Sequence, residues 1–242
     1  MIHDEESIHK FSSIFLIFSS SSDHVQSIYM TTRTKYDKSI EPTKVFKRQL
    51  IRGSEGDLIK KIREYDEHVS NASVCYFVCN PRSIKNTYRD GIAKVIKEYN
   101  SCFDQVVDST IGKPKDIHSL VLSCFQTSHP IKKFKEIDID TKNEDVLKKL
   151  ESIFKRIDMR IAACVETKGG YHVIYVNRLT KTQETDLYVF IQQFKYESID
   201  RNGKFLEKNY VEIRSDPCTP IPGTIQAGFN VVLSNRFPSN CC

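Results

Sequence analysis

The sequence predicts a mixed α/β (α+β) fold, with an N-terminal α/β module over residues 1–130 and a βαββαβ module with an antiparallel sheet over residues 131–242. Three observations predict it. Some segments repeat apolar residues at helical spacing while others alternate or run continuously, so both backbone periods are present. In the second half the two periods succeed one another as strand, helix, strand, strand, helix, strand. The composition, 39% hydrophobic and 28% charged over 242 residues with 9 Gly and 8 Pro, is that of a folded chain and excludes disordered or collagenous classes.

In the first module, an apolar run at Ile14 to Phe18 gives way to polar Ser19 to Ser22, and residues 19 to 56 show weak periodicity. Leu58, Ile59, Ile62 and Tyr65 fall on one helical stripe, which predicts a helix from Glu55 to Val69. Ser73 to Cys79 reads as a buried strand stopped by Asn80-Pro81. Ile84 to Tyr99 reads as a second helix, with Ile84, Tyr88, Ile92, Val95 and Ile96 as its apolar stripe. Ser119 to Phe125 is a further candidate strand before a break at His129-Pro130.

The second module is patterned more clearly. Phe134 to Asp140 alternates as a strand, Glu144 to Asp158 carries Val146, Leu147, Leu150, Ile153 and Phe154 on one helical face, and Ile161 to Glu166 is a strand. Lys168-Gly169-Gly170 turns the chain into a strand from Tyr171 to Val176. Thr182 to Phe194 is helical, Asp200 to Gly203 turns, and Tyr210 to Ile213 is the last strand. Such a chain forms a sheet of spatial order 4-1-3-2 with its helices on one face.

Strand alternation then sorts the polar residues. Ile137, Ile139, Val211 and Ile213 face the helices, which leaves Glu136, Asp138, Asp140, Tyr210, Glu212 and Arg214 on the open face. Antiparallel pairing brings the end of strand one beside the starts of strands three and four, so Asp138, Asp140, His172 and Glu212 converge at one edge. Carboxylates that close repel unless a cation neutralises them, and their hard oxygens suit Mg²⁺ or Mn²⁺. Lys168, His172, Arg214 and the amides of Gly169 and Gly170 could hold a triphosphate beside it, the arrangement of a two-metal phosphoryl-transfer site.

These residues resemble a family. Phe134-Lys-Glu-Ile-Asp138-Ile-Asp140 is similar to the first motif, hhDhD, of the archaeo-eukaryotic primase (primase-polymerase) superfamily. Thr167-Lys-Gly-Gly-Tyr-His172 is similar to its second, an SxH in a Gly-Gly-x-His context whose histidine contacts nucleotide phosphates, and Val211-Glu212 sits where the third motif's apolar-Asp pair would fall. The resemblance covers residues 134 to 233, including Pro222-Gly223-Thr224. Lys168 stands in place of the usual Ser, so a phosphate contact would come from its ammonium or from Thr167, and Glu212 stands in place of the usual Asp. The resemblance implies a metal-dependent nucleotidyltransferase joining NTPs or dNTPs on single-stranded or primed nucleic acid. Asp138, Asp140 and Glu212 would be its catalytic metal ligands and Thr167, Lys168, Gly169, Gly170, His172 and Arg214 its nucleotide-binding residues, with replication or repair proteins as partners.

Other readings share the topology. A palm-type polymerase or cyclase would carry a carboxylate on the central hairpin, where this chain has Gly-Gly-Tyr-His. An RNA-recognition (RRM-like) module stacks bases on open-face aromatics, whereas Glu136, Asp138 and Asp140 would repel a phosphate backbone in the absence of metal. A non-catalytic nucleic-acid-binding or interaction subunit that keeps the fold stays open. Net charge of +5 permits a polyanionic partner without requiring one. Arg82 and Lys85, past the Asn80-Pro81 turn, could reach template or nucleotide, while basic residues such as Lys132, Lys148 and Lys155 read as a partly solvated face. Eight dispersed cysteines without a CxxC framework read as buried thiols, and Cys75 with Cys79 offers zinc only two ligands. The early apolar run is too short to span a bilayer, which predicts an intracellular protein without membrane partners.

Overall fold

Two antiparallel sheets organise the chain. A computed structural model describes residues 1–16, 23–32, 45–51, 54–66, 72–107, 124, 130–131, 133–199 and 202–240. The first sheet holds β1 (His24–Thr32), β2 (Val45–Ile51), β3 (Ser73–Ser83) and β10 (Cys218–Pro220), in the order β10-β3-β1-β2. The second holds β4 (Phe134–Ile139), β5 (Ile161–Glu166), β6 (Tyr171–Val176), β9 (Val211–Arg214) and β13 (Val232–Leu233), in the order β13-β5-β6-β4-β9. Two hairpins, β7 (Lys195–Ile199) with β8 (Phe205–Asn209) and β11 (Ile225–Gln226) with β12 (Phe229–Asn230), complete the strands among the described residues.

Among the described residues five helices accompany them: α1 (Glu5–Phe15), α2 (Glu55–Arg63), α3 (Ile84–Val107), α4 (Glu144–Arg156) and α5 (Lys181–Ile191). Their starts follow from capping side chains that satisfy the free amides of the first turn. Asp4 accepts from Ser7 N, Ser54 from Asp57 N, Asn143 from Asp145 N and Val146 N, and Thr180 forms a capping box with Gln183. None is long and apolar enough to cross a membrane.

The second sheet is covered on both faces. On one, Ile137, Ile139, Val173, Tyr175 and Val211 pack with Leu147, Leu150, Ile153 and Phe154 of α4 and Leu187 and Ile191 of α5. On the other, Phe134, Val165 and Ile174 pack with Ile8, Phe11 and Phe15 of α1 and with Ile28, Met30 and Phe77 of the first sheet. Phe15 stands edge-on to Phe134 at 5.1 Å and Phe11 edge-on to Phe77 at 5.4 Å. The face expected to be open is therefore a buried interface.

Several expectations are corrected in detail. The β3 strand does not stop at Asn80-Pro81 but continues to Ser83, because its register against β1 shifts between Val25 and Ser27 and the extra residues are accommodated as an irregularity. The α3 stripe Tyr88, Ile92 and Ile96 is exposed, since the helix approaches the fold through buried Thr87 and Gly91, the smaller side chains. Arg82 is buried rather than presented to a ligand, its guanidinium ion-paired with Asp216. The β10 strand, from beyond residue 130, completes the first sheet. The candidate strand at Ser119 to Phe125 lies outside the described residues except for Cys124, and Lys132 lies outside them altogether.

Asn80 and Asp216 fasten the two sheets. Asn80 accepts from Lys133 N at 3.1 Å and Phe134 N at 2.9 Å, while its amide donates to Phe134 O at 3.0 Å and to Asp216 at 3.2 Å. Removing Asp216 would leave the Arg82 charge buried without its carboxylate. Asp216→Ala is expected to lower stability by about 2–4 kcal/mol in urea unfolding, and a paired Arg82→Met, Asp216→Leu replacement to recover most of it.

Candidate metal and nucleotide site

Register decides which polar residues meet. Asp138 pairs with His172 of β6 on one side and with Glu212 of β9 on the other, and Glu136 pairs with Arg214. Residues directly opposite across antiparallel strands share a face, so Glu136, Asp138, His172, Glu212 and Arg214 all project toward the first sheet. Their depth differs. Glu136 is fully buried, Asp138 and His172 are each 7% exposed, and Glu212 lies at the solvent edge.

A charged cluster results. His172 Nδ1 is 2.9 Å from Glu136 Oε1, and Nε2 is 3.7 Å from Asp138 Oδ1. Arg214 bonds Asp138 through Nη2 and lies 3.8 Å from Glu136 through Nη1. The second oxygen of Glu136 accepts from the backbone amide of Cys218 at 3.1 Å, a contact that carries the first sheet into the site. Two carboxylates thus face one guanidinium and one imidazole.

These partners set the protonation of His172. Burial alone would lower its pKa, but the Glu136 carboxylate, the hydrogen bond to it and nearby Asp138 outweigh burial and hold the imidazole above its ordinary value. Arg214 is likewise opposed by burial and held charged by Asp138, Glu136 and Glu212. A histidine whose pKa is raised by folding contributes stability that is fully present below its unfolded pKa and is lost as pH rises through the folded one. Wild type is therefore expected to lose stability relative to His172→Gln as the pH of a denaturation series is raised from 5.5 to 8.5.

The chemistry of the donors fits a divalent cation. Glu136, Asp138 and His172 each offer one ligand atom, all within 4.8 Å of one another, and among the described residues this is the one group of three or more such side chains that close. If Nδ1–H of His172 donates to Glu136, its Nε2 lone pair is turned toward Asp138, the orientation by which a carboxylate fixes a metal-binding histidine. Two oxygens and one imidazole nitrogen suit Mn²⁺ better than Mg²⁺, which prefers oxygen throughout.

The expected residues distribute unevenly around this cluster. Asp138, His172 and Arg214 belong to it, whereas Asp140 and Glu212 are exposed and outside it. Asp140 sits one residue past β4, its amide bonded to Tyr210 O at 2.7 Å. Thr167 is buried and its hydroxyl donates to Gly170 O at 3.3 Å, so it serves the turn. Lys168 is exposed and donates to Ala227 O at 3.3 Å, with exposed Gly169 beside it. Gly170 is a packing residue: a Cβ there would lie 1.8 Å from Ile139 O. Asp216 is engaged by Arg82 and Asn80 instead of the cluster.

Glu136 was missed because alternation placed it on a solvated face. The signal against that reading was available, since the same face carries Phe134, Val165 and Ile174. Cys75, Cys79 and Cys164 are buried thiols whose pKa values burial raises, and Cys218, pushed up to about 12, donates to Tyr29 Oη at 3.1 Å. No protein-family model, curated protein or solved structure matches the chain.

Proposed function

We propose that the protein is a metal-dependent nucleotidyltransferase of the primase-polymerase type, joining NTPs or dNTPs on a nucleic-acid template or primer. The observation that carries this reading is the shared register of β4, β6 and β9, which aligns Asp138 with both His172 and Glu212 and aligns Glu136 with Arg214. The antiparallel sheet of β4, β5, β6 and β9, which we read as RRM-like, and the motif resemblance at Asp138, Asp140 and His172 lend further support. Glu136, Asp138 and His172 would hold one divalent ion, Mn²⁺ or Mg²⁺, and Asp140 with Glu212 would supply the exposed ligands of a second. Bound there, such ions neutralise phosphate charge and make an attacking hydroxyl more acidic.

The chain's own groups supply binding and orientation. Glu136 fixes the His172 ring through Nδ1, and the Cys218 amide fixes Glu136 in turn. Arg214, 36% exposed, has room to exchange the Asp138 carboxylate for a phosphate. Lys168 stands on the exposed turn beside the end of β4, beyond the Ile139–Tyr171 pair, and would meet the distal phosphates.

A second reading draws on the same guanidinium. Because Arg214 and a protonated His172 can balance Glu136 and Asp138 without an ion, the site is also consistent with a non-catalytic nucleic-acid-binding or interaction subunit that keeps the fold. The two are separated by incorporation of labelled NTPs and dNTPs on single-stranded and primed templates with Mg²⁺ or Mn²⁺. Wild type is expected to incorporate, with more activity in Mn²⁺, and a folded Asp138→Ala, Asp140→Ala variant to fall to background. Wild type that binds nucleic acid but never extends it would overturn the enzyme and leave the binding subunit.

A further inference from the structure

The β7–β8 hairpin contributes a feature that the phosphate chemistry does not use. Tyr196 of β7 and Tyr210, the residue between β8 and β9, stack with ring centroids 4.1 Å apart and planes 20° from parallel. Tyr210 is 39% exposed and Tyr196 half-buried, so the pair is ordered by its own stacking yet open to solvent on the Tyr210 side. The solvent-facing part of the Tyr210 ring is an apolar surface with a polar tip, a form suited to a further stacking partner.

Position ties the stack to the candidate site. The carbonyl of Tyr210 accepts from Asp140 N at 2.7 Å, and Tyr210 is followed directly by Val211 and Glu212 of β9. The Tyr196 phenol is held above its ordinary pKa by burial first, then by Asp140, Tyr210 and Glu212, which places those carboxylates in its surroundings. The hairpin itself bears Lys195, Lys208 and Lys204 against Glu197 and Glu207, with Lys195 3.4 Å from Glu207. Among its described residues the hairpin's charges nearly balance, so the Tyr210 ring is not screened by a strong field of one sign.

We infer that the Tyr196–Tyr210 stack is a nucleobase platform, on which a base stacks while its phosphates are drawn to the Arg214 and Lys168 side of the site. The inference rests on the nucleotidyltransferase reading, and it names the part of the ligand that reading leaves unheld. Every base has a π-face, so such a platform accepts any sequence. It also explains how a polyanion can approach an edge carrying Asp140 and Glu212, since a base brings no charge to that edge. The base could belong to a nucleic-acid strand or to a free nucleotide, and the two are told apart by the probe.

The test is fluorescence anisotropy of a fluorescein-labelled single-stranded oligonucleotide and, separately, of a fluorescent ATP analogue. Wild type, Tyr210→Ala, Tyr210→Trp and Tyr196→Phe are compared, each checked for folding by circular dichroism. Tyr210→Ala is expected to weaken binding of at least one probe about fivefold or more, and Tyr210→Trp to retain it. Because stacking releases no counterions, the ratio of wild-type to Tyr210→Ala affinity should be the same at low and high salt. A folded Tyr210→Ala that binds both probes within twofold of wild type overturns the platform, as does a loss that Tyr210→Trp does not prevent.

Incorporation separates this outcome from the fate of the enzyme reading. Asp138-dependent incorporation with unaltered binding by Tyr210→Ala would remove the platform and leave the enzyme. Absent incorporation with weakened binding by Tyr210→Ala would remove the enzyme and leave the platform as a nucleic-acid contact.

Discussion

Glu136→Ala is expected to destabilise the protein by about 3–5 kcal/mol and to abolish divalent-ion binding at the cluster. The carboxylate is fully buried, and its loss strands groups on three elements: Nδ1–H of His172 on β6, the amide of Cys218 on β10 and one side of Arg214 on β9. Each would remain buried or half-buried with less compensation. Urea unfolding gives the stability change and Mn²⁺ titration the affinity. Glu136→Gln separates the two effects, because its amide keeps the volume and one acceptor while removing the charge. It should retain most of the stability and lose most of the ion binding. Equal loss of stability in both variants would mean that charge, rather than hydrogen-bond geometry, holds this part of the interface.

Gly170→Ala is expected to cost about 3 kcal/mol or more, or to prevent folding. The added Cβ would lie 1.8 Å from Ile139 O and 2.8 Å from Thr141 N, both backbone atoms, so no side-chain rotation relieves the overlap. Either the β5–β6 turn or the end of β4 must move. Either motion shifts Asp138 relative to His172, which are paired in adjacent register. Thermal unfolding measures the first consequence. The second appears as weaker Mn²⁺ binding in whatever fraction folds, an effect that a surface glycine contributing only an amide would not produce.

The second sheet was legible because each of its first three strands is bounded by a turn and shows period-2 or continuous apolar pattern. From Phe134, Ile161 and Tyr171 onward the boundaries fall within a residue of those read from the sequence, and Val211–Arg214 is offset by one. Asp138, His172 and Arg214 could be assembled from that pattern alone. Glu136 is signalled only by the apolar Phe134, Val165 and Ile174 on its face, because the strands that cover it, β10 and β3, come from elsewhere in the chain. The β1 and β2 strands went unread for a related reason. His24–Thr32 is buried on nearly every residue and mixes Gln26, Ser27, Thr31 and Thr32 with its apolar side chains, so it shows neither alternation nor an apolar run. Of the expected Asp200–Gly203 turn, Asp200 and Arg201 lie outside the described residues; the helix before it ends at Ile191 rather than Phe194, and β7 and β8 flank the segment without an apolar alternation that marks them. The Pro222-Gly223-Thr224 segment has a physical account as well. Gly223 has φ +85°, and a Cβ there would sit 2.0 Å from Asp4 O, so glycine lets the chain cross the start of α1, where His3 N bonds Gly223 O.

The place of β10 in the first sheet has a consequence for biosynthesis. Its partner β3 is complete by Ser83, but Cys218–Pro220 emerges from the ribosome well over a hundred residues later, so one edge of the first sheet stays unpaired through most of translation. Edges of that kind template misassembly, and the segment waiting here, Ser73 to Cys79, is mostly apolar and carries strand-favouring Val74, Tyr76, Phe77 and Val78. The nascent chain therefore passes through a long interval in which this apolar strand lacks both its β10 neighbour and the second-sheet face that finally buries it, and chaperone demand during synthesis should peak before residue 218 is made.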